Sequence, residues 1–274
     1  MNNEFANPEK YFKEFSSRIL TFIANYRSEV LGHIYSDDRF NKEDEKFFFT
    51  IVLKTLNTFE TANIFIRNFD SSRDFQISLY ILIRAILNDI LIAEYVIVQP
   101  ENDEERIKLI NQINFDHLKH IISTLKVEKE ARKLTESEYQ KEIRDLKNSF
   151  EKYFNEDGTD KIIPLRTSVQ NLVKSMLEKS NDERSHKLIS AAYILYNSFS
   201  KLEHYGELSF ALVNIVYHDS KQQRLTNELF NSVKVIVAAL NNYCKLWDDL
   251  KINYEKLNNL EIEILKMLPN QNGH

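Results

Sequence analysis

Apolar residues recur every three or four positions along almost the whole of this chain. From Phe12 they fall at Phe15, Ile19, Phe22, Ile23, Val30, Leu31 and Ile34, the interval at which one helical face returns to the core. Asn7 and Pro8 supply a cap and a first-turn proline for that helix, and "DDRF" after Ser36 is its exit. Asn41 caps a second helix, "KEDEKFFFTIVLKTLNTFETANIFIRNF", whose early acids suit the positive end of the macrodipole. A third begins at Asp70, Ser71 or Ser72 and stops before Pro100. The fourth opens on "NDEER" and carries Ile107, Ile110, Ile113, Leu118, Ile121 and Ile122.

Residues 126 to 152 are dense in charge with sparse apolar positions, which predicts one exposed helix with a solvated face. "NEDGTDKIIP" is a loop, with Asp157, Gly158 and Pro164 together. A short helix over 167 to 179 precedes a longer one from Asn181 to Tyr205, ended by Gly206. "ELSFALVNIVYHD" reads as helix because no strand is on offer to pair with it, and helical spacing resumes from Arg224 to Met267. The prediction is an all-α bundle of seven to nine helices. It forms a single domain over 1–274, with core blocks at about 7–125 and 165–267 and a charged helical excursion at 126–156.

Composition agrees with that picture. Four glycines and four prolines in 274 residues leave few turns, so the elements must be long. A net charge of −5 carries no chain-wide basic signature for nucleic acid or anionic lipid, though a local basic groove is compatible with it. The one cysteine, Cys244, excludes an intramolecular disulfide and a multi-cysteine zinc site, and suits a reducing compartment. "FQISLYILIRAILNDILIAEYVIVQP" is long enough to span a bilayer but contains Arg84, Asn88, Asp89 and Glu94. Such groups are expensive in lipid, so it is expected to be a core helix, not a membrane span. The first residues, "MNNEFANPEKYFKEF", have no basic start or apolar run, so a cytoplasmic protein is expected.

Candidate chemistry sits on two helices. At about 100° per residue, His186, Tyr193, Asn197, Ser200 and His204 share a line on one helix, with Tyr196 and Glu207 beside it. Tyrosine, serine and histidine suit a half-buried seam or cleft wall, where each polar tip needs a partner. On the third helix Ile77, Arg84, Asn88 and Tyr95 form a stripe. A guanidinium on so apolar a helix needs a carboxylate, a backbone acceptor or an anionic ligand. If the stripes face each other, Arg84, Asn88, Tyr193, Ser200 and His204 line one polar pocket, with phosphate as its natural guest.

These residues also carry a resemblance. "RAILNDILIAEYV" and "YNSFSKLEH" resemble the arginine-helix and the tyrosine, serine and histidine signatures of a poorly characterised group of bacterial all-helical proteins. That group is loosely similar to HEPN domains, which include metal-independent ribonucleases and nucleotide-binding modules of toxin–antitoxin and anti-phage defence systems. The resemblance implies an effector or sensor that binds RNA or a nucleotide, with Arg84 and His204 as catalytic residues and Asn88, Asp89, Tyr193, Asn197 and Ser200 as binding residues. His204 would take the ribose 2′-hydroxyl proton and Arg84 would stabilise the phosphorane, without a metal or cofactor. Asn88 stands where the group would have glutamate. The HEPN arginine-to-histidine spacing occurs only in "RSEVLGH", Arg27 to His33, near the N-terminus and interrupted by Gly32. That pair is the lesser alternative.

Other constellations are incomplete. His117 and His120 with Asp116 lack further ligands in register, and "ERSH" is half of a di-iron motif without its second copy. Glycine-rich phosphate loops and nucleophile elbows are missing. The rival expectation is a non-catalytic interaction module with a protein partner or a homodimer, in which the polar stripes only fix helix packing.

Overall fold

The computed structural model describes residues 42–67, 74–201, 219–246 and 259. Seven α-helices lie among the described residues: α1 (Glu43–Arg67), α2 (Asp74–Val98), α3 (Asp103–Arg132), α4 (Glu136–Ser149), α5 (Val169–Lys179), α6 (Glu183–Ser200) and α7 (Asp219–Leu246). The class is all-α, as the hydrophobic spacing predicts. The helix expected over 7–36, the "ELSFALVNIVYHD" helix and the stretch after Leu246 lie outside the described residues. The chain forms two compact units, one of Met1–Val98 with Leu172–His274 and one of Gln99–Asn171.

In the first unit α2 is central and packs on α1, α6 and α7. It can do so because it is apolar over most of its circumference: Leu79, Ile83, Ile86, Leu87, Ile90, Leu91 and Val96 are all buried. Side-chain meetings give the directions. Tyr80 stacks on Phe199 while Arg84 meets Tyr196, so α6 is antiparallel to α2. Tyr80 lies near Glu228 and Ile90 near Tyr243, so α7 runs parallel to α2. On α1 the buried positions Phe48, Val52, Leu56 and Phe59 keep helical spacing, and Phe48 lies 5.9 Å from the Tyr243 ring. Of the three consecutive phenylalanines Phe48 is therefore core, with Phe47 and Phe49 half-buried beside it. No described helix is long and apolar enough to cross a membrane.

In the second unit, the exposed helix predicted over 126–152 is two helices. Helix α3 continues to Arg132, Lys133 turns left-handed (φ 56°), and Thr135 starts α4 with a reciprocal capping box to Glu138. The "TESE" signal specifies that break, and the charge density conceals it. The two helices pair through Arg132 with Glu142 at 3.0 Å and Lys129 with Glu136, contacts that are exposed and worth little singly. A small core of Phe115, Leu118, Tyr153 and Phe154 is flanked by Ile122, Leu146 and Ile162. The predicted loop is a tight turn: Asp157 accepts from the Thr159 amide and Gly158 takes φ 78°. The Leu165 amide donates to the Gln112 carbonyl at 3.3 Å, tying the returning chain to α3.

Candidate functional site

Arg84 lies half-buried on α2 where α6 crosses it. Its Nη2 donates to the Tyr196 hydroxyl at 3.3 Å, and its guanidinium carbon lies 4.9 Å from the centre of the same ring. Tyr193, one turn earlier on α6, lies near-parallel to Tyr196 with ring centroids 6.5 Å apart. A cation over an aromatic face is attracted by the ring quadrupole. The result is a short ladder of one guanidinium and two phenol rings.

The remaining predicted residues divide. Asn88 is half-buried on α2, one turn from Arg84. Ser200 is half-buried and donates to the Asn197 carbonyl of its own helix at 2.9 Å, while Asn197 is exposed. Asp89 turns away from α6: it pairs with Lys54 of α1 at 2.7 Å. Five residues separate Arg84 from Asp89, so the two point to different flanks of α2. His204, Arg27 and His33 lie outside the described residues. Among the described residues no group of three or more histidine, cysteine or acidic side chains could hold a metal ion, and His117 and His120 are exposed on α3.

A second polar cluster in this unit was not picked out from sequence. Glu94 of α2 is 1% exposed, and its Oε1 has no hydrogen-bond partner. Burial pushes its carboxyl up to about 7, opposed by a hydrogen bond from Tyr243. The fully buried Tyr243 hydroxyl also reaches the Ile90 carbonyl, at a long 3.4 Å. Desolvation, together with the charges of Glu94 and Asp89, raises the Tyr243 pKa well above its ordinary value. Thr55 and Tyr80 also bury hydroxyls without partners. The signal is present in the sequence: a carboxyl on an apolar helix needs a partner inside a core just as it is costly in a membrane.

Chemically, the ladder offers a permanent cation next to stacked aromatic faces, a surface for a flat or anionic group. The Glu94–Tyr243 pair is sealed from solvent, away from contact with a substrate. Comparison with family models, with curated proteins and with solved structures finds no match for this chain.

Proposed function

We propose that the first unit binds RNA or a nucleotide over Arg84, Tyr196 and Tyr193, as a HEPN-like effector or sensor of a bacterial defence or stress system would. The observation that supports this reading is the ladder itself. A base can extend the tyrosine stack, since every base offers a π-face, and the guanidinium is well shaped for an adjoining phosphate. Asn88, one turn along α2, adds an amide on the same stripe. In this reading His204 supplies the base for metal-free RNA cleavage, and the protein works in the cytoplasm.

Fluorescence anisotropy with a labelled ten-nucleotide single-stranded RNA and with labelled ATP, both in chelator, tests binding. Arg84→Ala and Tyr196→Ala are expected to weaken binding about tenfold or more, the loss of one charge-assisted contact or one stacked base. Incubation with total RNA or tRNA, beside Arg84→Ala and His204→Ala, tests cleavage. Binding unchanged in both α2 and α6 variants would remove the site, and identical RNA products from all three proteins would remove the nuclease.

A second reading, a protein-interaction module, is favoured by a different surface of α6.

A further inference from the structure

The flank of α6 opposite Tyr193 forms an open groove with α7, about 430 Å³ in volume. Its lining repeats on both helices with the same spacing. On α6 the row is Arg184, Leu188, Ala191 and Leu195; on α7 it is Asn231, Val235, Ala238 and Asn242. Each row advances by four, three and four residues, so each is a straight stripe of about three turns, roughly 16 Å long. Two antiparallel stripes with small residues at their centres, Ala191 facing the groove from one helix and Ala238 from the other, leave the trough that a third helix fills by ridge-and-groove packing. At its lip Ile194 is 63% exposed, a large apolar side chain on a helix whose outer face is otherwise polar.

The rim has one sign of charge. Arg184, Lys187 and Lys234 border the groove and no carboxylate is among its described lining residues, although the chain carries 41 acidic against 36 basic residues. Lys187 pairs with Glu183 at 2.6 Å and Arg184 lies near Asp182, but these groups sit at the exposed start of α6, where such pairs exchange at little cost. A positive rim around an apolar floor selects a partner with the converse arrangement. We propose that this groove docks an amphipathic helix of about three turns from a partner protein, apolar along one face and acidic on its flanks. An anionic membrane is the poorer occupant, since a bilayer meets convex faces and this surface is concave. Docking here leaves the Arg84 ladder open on the other flank of α6, so partner and ligand could be held together.

The test uses the full chain and a designed 16-residue peptide with leucines at i, i+3, i+4, i+7 and i+11 and glutamates on both flanks. Its controls are a scrambled peptide and one with lysine flanks. Anisotropy should show saturable binding of the acidic peptide, at least about tenfold tighter than either control, weakening with salt. Ile194→Asp and the Lys187→Glu, Lys234→Glu double variant should each lower it about tenfold. Both sites are on the surface, and an unchanged circular dichroism melt confirms that each variant folds. Absence of binding, equal binding of the lysine peptide, or binding indifferent to Ile194→Asp would overturn the proposal. It would also fail if Ile194→Asp instead dissociated a dimer in sedimentation, making the occupant a second copy. Binding to phosphatidylserine vesicles that Ile194→Asp abolishes, without any peptide binding, would overturn it too and make the occupant a membrane. None of these outcomes bears on nucleotide binding at Arg84.

Discussion

Glu94 should set a measurable part of the pH dependence of folding. An ordinary glutamate titrates near 4.5, and burial holds this one at about 7 in the folded chain. The folded state therefore keeps its proton over a range in which the unfolded state has lost it. Stability must then fall as pH rises from about 4.5 through about 7, and level off above. At about 1.4 kcal/mol per pKa unit, the difference amounts to about 3 kcal/mol. Tyr243 and Asp89 face the same cluster, and Lys54 neutralises Asp89 from α1, so the charge that arises on ionisation of Glu94 is left largely uncompensated. Glu94→Gln keeps the shape and removes the charge. Urea unfolding followed by circular dichroism at pH 5, 6, 7 and 8 should give a variant about equal to wild type at pH 5 and about 3 kcal/mol more stable at pH 8. The difference between the two proteins, not either slope alone, carries the information, because every group common to both cancels in it. Parallel curves, or a variant weaker than wild type at pH 8, would refute the reasoning.

Three further expectations rest on single contacts. Tyr196→Phe keeps the ring under Arg84 and removes the 3.3 Å hydrogen bond, which should cost about 1 kcal/mol in urea unfolding; Arg84→Ala should cost more, because the ring loses its cation as well. Lys54→Met strands the buried Asp89 carboxylate and should lose about 2 kcal/mol, of which most should return in the Lys54→Met, Asp89→Asn pair. Gly158→Ala places a β-carbon at φ 78°, 3.3 Å from Lys147 Nζ. It should destabilise the Gln99–Asn171 unit by about 1 kcal/mol, read by amide exchange at Phe115 and Phe154.

The helices were legible because their signal is local. The macrodipole acids of α1, the asparagine cap of α3 and the proline after α2 all act within a turn or two, and periodicity does the rest. The break at Lys133 was equally local, in the Thr135 to Glu138 box, but a uniformly charged stretch has no apolar stripe whose phase change would expose it. The site was legible only in part. Arg84 announced itself as a cation on an apolar helix, and its α6 partner was anticipated as a helix but not as Tyr196, which sits beside the line of the polar stripe. The pairing of Asp89 with Lys54 and of Glu94 with Tyr243 depends on which flank of α2 each neighbour occupies. No spacing within one helix encodes that choice.

The Gln99–Asn171 unit interrupts the first unit in sequence, and that has a kinetic consequence. Arg84 and Tyr196 are 112 residues apart, so closing that contact in an unfolded chain means closing a long loop. The bond between Leu165 and Gln112 short-circuits it: once the inserted unit has folded, the effective loop is roughly halved, a gain of about 0.6 kcal/mol in closure entropy. The insertion thus acts as a clamp on the search, and the order of events matters. If it collapses first, α6 returns to α2 on a short tether; if it is late, α2, the most apolar of the described helices, waits exposed.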